Sequence, residues 1–318
     1  MTGRSDLDVV TGAFSYSGAS IAAALLARGR RLRTLTGHPG RAQGSSIEVR
    51  PLDFDLTGLT RSLQGVDTLY NTYWVRFPHG DVTFEKAVEN SRVLFEAAAA
   101  AGVRRIVHVS ITHADEHSPY PYFRGKALVE KHLAASGVPY AVARPAILFG
   151  RDGVLINNIA WLLRRFPVVA VGDGGGYRIR PIHVDDLAAL CLDLAGRDEN
   201  TVVDAVGPQS LPFREILERI RSAVGSRAVL IPVPGQVFPV LTGALGLLLR
   251  DTLLTADEYR AMVDGLADSA APTTGSVLLS KWIERHAQTL GRRYANELER
   301  HYRTPEHPSP SGREGARR

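Results

Sequence analysis

Tyr122 and Lys126 stand four residues apart in PYFRGKALVEKHLAA, a stretch with helical character, so both side chains share one helix face. A free phenol titrates near ~10 and exchanges protons poorly at neutral pH. A neighbouring ammonium favours the phenolate and lowers that value. The pair therefore reads as a proton-transfer device for a carbonyl or alcohol oxygen, and the lysine can also hold a nicotinamide ribose. Of the 38 basic residues only Lys86, Lys126, Lys131 and Lys281 are lysines, which makes this spacing informative. Ser110 ends the apolar run RRIVHVS, and a hydroxyl there can hydrogen-bond a substrate oxygen; Thr112 is a second candidate. The plainer readings are a chance Tyr–Lys spacing and a solvated serine at a strand end.

These residues need a scaffold. Candidate strands fall at 7–11, 31–36, 47–51, 67–73, 104–110 and 139–145, and candidate helices at 18–29, 57–64, 83–101 and 122–136. Such alternation predicts βαβ units: an α/β fold with a doubly wound parallel sheet, whose strand C-termini line the ligand crevice. Beyond Gly150 the pattern predicts a helix at 153–165, a strand at 168–171, a glycine-rich turn at 172–176 and a strand-to-helix stretch over 179–195. A strand at 201–206, a helix at 212–224, a strand at 228–232 and mostly helix from 236 to about 301 follow. The expected organisation is a Rossmann core over 1–150, a smaller and mostly helical substrate-binding part over 151–302 interleaved with it, and a disordered Pro/Ser/Gly-rich tail at 303–318.

The N-terminal segment LDVVTGAFSYSG adds a second site. A short apolar strand, Leu7 to Val10, turns through Thr11-Gly12 and small residues into Gly18 and an apolar-periodic helix. That arrangement presents backbone N–H groups at the positive end of a helix dipole, an anion site of the kind that holds a dinucleotide pyrophosphate. The spacing departs from G-x-G-x-x-G: Ser15 stands at the middle glycine, with Ala13 small beside Gly12.

Composition narrows the function classes. The 318 residues are 44% hydrophobic and 22% charged, as expected of a globular chain. Cys191 is the single cysteine, which excludes an intrachain disulfide and argues against a cysteine metal site; no metal is expected. With no visible signal peptide, this fits a cytoplasmic protein. The longest apolar stretch, 237–249, is too short to span a bilayer. The net charge of +5 is scattered and lacks aromatic–basic motifs, so nucleic acid is not expected as a partner.

The motifs occur in a telling order: Thr11-Gly12-Ala13 with Gly18, Asp53 after the third strand, Asn90 in the 83–101 helix, Ala101–Ser110, Tyr122–Lys126, Arg144-Pro145 with Phe149-Gly150, and His183-Val184-Asp185-Asp186. In this order the chain resembles the extended or atypical short-chain dehydrogenase/reductases, related to NAD-dependent epimerases and dehydratases. It is most similar to the group holding the dinucleotide-binding accessory subunit of respiratory complex I. The resemblance spans residue 7 to about 235. It implies that Gly12, Ala13 and Gly18, with backbone from Phe14, Ser15 and Tyr16, hold the pyrophosphate. Asp53 would meet the adenine amino group with Phe54 beside it, and backbone at Asn71, Thr72 and Tyr73 would line a ribose. Ser110, Tyr122 and Lys126 would be the catalytic trio, and Pro145 to Leu148, including Ile147, would pack on the nicotinamide.

Departures from the family pattern carry information too. Tyr73-Trp74 replaces the usual small residues and would either shape the site or serve as core aromatics. The end of the second strand, Thr34 to His38, lacks the acidic residue that binds a 2′-hydroxyl. His38 and Arg41, with Arg33 nearby, could meet a 2′-phosphate or be solvated turn charges; NADP(H) is favoured over NAD(H). Sugar-nucleotide relatives carry an arginine before the His183 segment as Arg-Asp-aromatic, whereas Ile179-Arg180-Pro181 stands here, with Arg178 as a possible substitute. The stretch 237–249 could roof an apolar pocket, sit in the core or face a partner. The expected function is reduction of a carbonyl on a small, largely apolar substrate by hydride transfer from NAD(P)H. A nucleotide-binding regulator or assembly subunit without turnover is the alternative, and epimerase or dehydratase chemistry on tightly held NAD is a third.

Overall fold

The computed structural model describes residues 5–42, 45–151 and 153–296, with Arg41 and Ala42 in backbone only. The tail assigned to 303–318 lies outside the described residues. The Rossmann half runs β1 (Leu7–Thr11), α1 (Tyr16–Ala27), β2 (Arg31–Thr36), β3 (Glu48–Pro51), α2 (Leu56–Leu63), β4 (Thr68–Asn71), α3 (Phe84–Ala100), β5 (Arg105–Val109), α4 (Pro121–Ala135) and β6 (Tyr140–Pro145). Then come β7 (Leu148–Phe149), α5 (Val154–Arg165), β8 (Val168–Gly172), β9 (Arg178–Ile179), β10 (Ile182–His183), α6 (Val184–Gly196) and β11 (Thr201–Ala205). The chain continues through β12 (Leu211–Pro212), α7 (Phe213–Ala223), β13 (Val229–Val233), α8 (Phe238–Leu249), α9 (Ala256–Val263) and α10 (Leu279–His286).

Seven parallel strands form the central sheet in the order β11-β6-β5-β4-β1-β2-β3. The order reverses between β1 and β4, and the crevice outside strand C-termini at such a switch point is where these sheets bind ligands. β1, β4 and β5 are buried along their whole length, which explains why they read as continuous apolar runs rather than alternating ones. Two layers cover them. Ile21, Leu25 and Leu187 of α1 and α6 pack one face with Val10 and Val107; Leu59, Leu94 and Val129 of α2, α3 and α4 pack the other with Val9 and Ile106.

The remainder forms a second core around Phe149, Leu163, Ile216 and Trp282, contributed by α5, α7 and α10. Three two-stranded pairs tie it together: β7–β10, β9–β12 and β8–β13. The two halves interleave, because β11 extends the central sheet beside β6 while α6 packs on α1.

The expectation of mostly helix from 236 to about 301 fails between α9 and α10. Gly265 adopts φ +83° and ends α9 in a left-handed turn. The following ADSAAPTTGS contains a proline, a glycine and several residues that favour turns, and it runs extended. Arg180 anchors this strap. Its guanidinium donates to the carbonyls of Gly207, Ser269 and Ala271 and to Thr273 Oγ1, all at 2.7–2.9 Å.

Candidate functional site

The turn after β1 is built by close approach. A Cβ on Gly18 would lie 2.1 Å from the Gly12 carbonyl oxygen, so α1 enters directly against the turn and only glycine fits. Gly12 itself adopts φ +64°, a left-handed conformation that glycine accepts without strain. Ser15 folds inward, its hydroxyl 3.2 Å and 2.9 Å from where side chains on Gly12 and Gly18 would begin. It caps no amide of α1, which leaves the first turn open to an anion. The serine at the middle-glycine position therefore fills the inside of the turn. The Ala13 amide is committed to Thr34 Oγ1 at 3.0 Å, so the backbone of this cradle that suits a pyrophosphate is that around Phe14 and Tyr16.

A polar knot fixes the neighbouring strand end. Thr11 Oγ1 donates to Asn71 Oδ1 at 3.1 Å and accepts from the amides of Thr72 and Tyr73 at 2.7 and 3.1 Å. Thr72 Oγ1 donates to the Thr11 carbonyl at 2.6 Å. The backbone intended for a ribose is thus rigid. Tyr73 lies 4.7 Å from Phe54 between ring centroids, and its hydroxyl accepts from Asn90 Nδ2 at 2.9 Å. Asn90 acts here by holding Tyr73. Asp53 is exposed and accepts from the Asp55 amide, and Phe54 sits at φ +58°.

At the β2 end the His38 amide donates to Thr36 Oγ1 at 3.0 Å. The Arg41 side chain lies outside the described residues. Arg33 is engaged elsewhere, pairing with Glu48 at 3.0 Å and donating to the Ser62 carbonyl, so it is not positioned as a free phosphate ligand.

The expected trio occupies one corner of the molecule in an unexpected arrangement. Trp74 lies against both Tyr122 and Lys126. Its ring meets Tyr122 edge-on, centroids 5.7 Å apart, and Lys126 Nζ sits 4.8 Å above the indole. Gly125 makes this possible, because a Cβ there would be 2.8 Å from the indole edge. Lys126 Nζ donates to the Val109 carbonyl at 2.9 Å. Burial pushes the Lys126 ammonium down to about 7. Tyr122 shifts the opposite way from the expectation. Burial pushes its phenol above the usual range, Glu258 adds to the rise, and Arg76 opposes it.

Beneath this pair, His108 is completely buried and its Nδ1 lies 3.1 Å from Asn71 Nδ2. Burial, and then the Lys126 charge, hold it well below its ordinary value, so it is a neutral ring at physiological pH. Among the described residues, His108 Nε2, Trp74 Nε1 and Ser110 Oγ are buried without hydrogen-bond partners. Ser110 follows β5 directly, its amide bound to the Ala143 carbonyl at 2.8 Å. Such orphaned polar atoms beside the open strand ends suit a polar ligand. Thr112 is already committed, donating to the Leu266 carbonyl at 3.0 Å.

Tyr122 faces a cavity of about 690 Å³. Ile111, Ala146, Ile147 and Leu148, which follow β5 and β6, form its wall at the sheet. Its sides are Phe84, Phe123 and the apolar face of α5; its charged members are Asp257 and the pair Arg76 and Glu258, 2.8 Å apart. Helix α8 is the roof. Leu241 and Leu245 line the cavity while Val240, Leu247 and Leu248 are exposed on the outside. Arg178 is taken up by Ser210, through Oγ at 3.0 Å and its carbonyl, so with Arg180 also anchoring the chain neither arginine faces a sugar nucleotide.

Arg76, Glu258 and Gly125 were not recognisable as site residues from their types, whereas Trp74 stood out as a residue that would shape the site or sit in the core. Of those three, Gly125 alone carried a signal, since a glycine inside a helix is costly and often marks a close approach.

Two expected outcomes follow from the Trp74 arrangement. The buried Lys126 has a folded-state pKa of about 7 against 10.5 when exposed. Between those values the unfolded chain binds the proton and the folded chain does not, so stability should rise with pH across that window. Lys126→Met should accordingly raise the urea midpoint at pH ~6, with the gain shrinking toward pH ~10. Equal gains at both pH values would contradict the buried-charge account. Trp74→Ala should hydrate Lys126, restore its charge and expose Tyr122 to it. Ultraviolet phenolate titration, with Trp74→Ala/Tyr122→Phe as the blank, should then place the Tyr122 pKa about 1–3 pH units below wild type.

A family model described as NAD(P)H-binding matches residues 12–195. The chain is 26% identical over 241 residues to the mitochondrial NADH-ubiquinone oxidoreductase 40 kDa subunit of Neurospora crassa, an alignment covering 73% of this chain and 63% of that subunit. Its fold is similar to Citrobacter sp. triphenylmethane reductase complexed with NADP(H), with a TM-score of 0.73, 21% identity and coverage of 88% and 99% of the two chains. It is equally similar to the Escherichia coli NADPH-dependent quinone oxidoreductase complexed with NADPH, with a TM-score of 0.72, 22% identity and the same coverage. No helix among the described residues is long and apolar enough to cross a membrane. With its parallel seven-stranded sheet and the cradle at the first turn, the chain belongs to the NAD(P)H-binding family.

Proposed function

We propose that the protein is an NAD(P)H-dependent oxidoreductase that reduces a carbonyl on a largely apolar substrate. The observation that carries this reading is the position of Tyr122 on the wall of the apolar cavity, next to the segment 146–148 at the switch-point end of the sheet. Bound dihydronicotinamide supplies the hydride. Backbone of the 12–18 turn and of Asn71–Tyr73 holds the dinucleotide, Ser110 meets the substrate oxygen and Ile147 packs on the ring, while Lys126, bound to the Val109 carbonyl against Trp74, acts by fixing the end of β5. Tyr122 donates its proton to the oxygen that becomes an alkoxide. The raised phenol is suited to this task, because it stays protonated and an alkoxide is more basic than a phenolate. With the phenol protonated at neutral pH, reduction starts from its dominant form.

NADP(H) is the preferred cofactor on this reading, since the end of β2 offers His38 and no carboxylate. Titration with both reduced cofactors checks this, and tighter NADH binding overturns the preference. Oxidation of NADPH should then be screened against apolar ketones, quinones and triphenylmethane dyes, the last two being the substrates named for the structural neighbours. The organisation into a dinucleotide core over 1–150 and a substrate part over 151–302 belongs to the same proposal.

One observation favours a second reading, binding without turnover. Trp74 packs against both Tyr122 and Lys126, the charges acting on the phenol are Glu258 and Arg76 rather than the lysine, and a complex I subunit is among the relatives. Protein that binds NADPH yet oxidises it with none of that panel supports this alternative. Epimerase chemistry on a sugar nucleotide is disfavoured by the commitment of Arg178 and Arg180 to the chain itself.

A further inference from the structure

The cavity has a direction. One charged corner is marked by Tyr122 and the Arg76–Glu258 pair, with Asp257 beside Glu258 in the chain. From there it follows one face of α5. Leu155, Ile159 and Leu162 line it at helical spacing, and Phe166 closes the row just past the helix end. At 1.5 Å per residue the stripe from Leu155 to Phe166 runs roughly 16 Å. Along that length the opposite wall is β8, through Val168, Val169 and Ala170, and the roof is α8, through Leu241 and Leu245. Asn158 and Thr242, the polar lining residues on α5 and α8, are committed to the Ala295 backbone and the Pro239 carbonyl, so apolar ligand surface is what this stretch stabilises.

We propose that this channel takes a carbonyl compound with a long, unbranched apolar tail. The carbonyl sits at Tyr122 and the tail lies along α5 beneath α8. This deepens the reductase reading and rests on it for the identity of the head group; the tail channel itself is independent of turnover. A compact substrate would leave most of the 690 Å³ unfilled by apolar contacts. Each methylene placed in the channel contributes about 0.8 kcal/mol, close to a four-fold gain in affinity.

The test is equilibrium binding of the 2-alkanone series, from hexan-2-one to tetradecan-2-one, to the full chain with and without NADPH. The dissociation constant is expected to fall about four-fold per added methylene and then level off once the channel is full. Ala170→Phe and, separately, Leu245→Trp should each move that break to shorter ketones; two positions are used so that one misfolded variant does not decide the matter. A dissociation constant independent of chain length, or a break that neither folded variant moves, overturns the proposal. NADPH oxidation by the same ketones separates the two claims. Length-dependent binding without oxidation removes the reductase reading and leaves the channel, whereas oxidation with flat binding removes the channel and leaves the reductase.

Discussion

Replacing Tyr122 with phenylalanine is expected to lower the turnover number for NADPH-dependent ketone reduction by about 10²–10⁴-fold, the usual contribution of a positioned general acid. The change removes one oxygen and leaves the ring, so the edge-on contacts with Trp74 and Phe84 persist. Lys126 also keeps its bond to the Val109 carbonyl, and the dinucleotide turn lies on another element. NADPH affinity should therefore change by less than about two-fold, far below the 1.4 kcal/mol that marks a tenfold effect. The pH profile gives an independent check. Burial and Glu258 raise the Tyr122 phenol, so no loss of activity from its ionisation is expected below pH ~10. The variant's residual rate should come from water reaching the oxygen. Unchanged turnover with a well-folded variant would show that the proton comes from elsewhere.

Gly18→Ala is expected to have the second large effect, on binding rather than chemistry. Its Cβ would lie 2.1 Å from the Gly12 carbonyl oxygen and 2.9 Å from Ser15 Oγ, far inside contact distance. The obstacle includes backbone, which cannot rotate away as a flexible side chain would. The helix must therefore shift outward or the turn must open. Either movement displaces the first-turn amides from the position that an anion at a helix N-terminus requires. NADPH affinity should fall by about 100-fold or more, and the overpacking should cost about 1–3 kcal/mol of stability. Fluorescence titration with NADPH and a denaturant midpoint measure the two effects separately. Native-like affinity in this variant would place the pyrophosphate away from the turn.

The sequence revealed the scaffold well because the signal was local. Strands such as Leu7–Thr11 and Arg105–Val109 are buried on both faces, so they read as apolar runs, and the glycines at 12, 102 and 137 mark chain reversals with positive φ. The order of motifs located the glycine turn into α1 and the Tyr122 helix. What could not be read was the relation between Tyr122 and Lys126. Spacing places two residues on one face, but it does not say what lies against that face. Here a residue from the loop after β4, Trp74, packs where Gly125 leaves room, and the tyrosine turns toward Arg76 and Glu258 from distant segments. Arg76 and Glu258 are 182 positions apart, and no periodicity links them. The strap after α9 falls within the stretch expected to be mostly helix, where Gly265 and Pro272 interrupt it.

Trp74 also frames the choice between turnover and binding alone. A tyrosine without an adjacent ammonium remains a competent proton donor to a strong base, which is what reduction of a ketone generates at its oxygen. It is a poor proton acceptor, which is what alcohol oxidation needs. The arrangement thus lets reduction start from the dominant protonation state of Tyr122 without help from the lysine.

The most direct test follows a label. The protein is incubated with NADPH deuterated at the transferable nicotinamide position and a panel of apolar ketones and quinones, and the products are analysed by mass spectrometry. The account predicts a ketone-derived alcohol carrying deuterium on its carbinol carbon, formed by the wild-type chain and lost in Tyr122→Phe. NADPH that binds tightly while no deuterium reaches any member of the panel would contradict it.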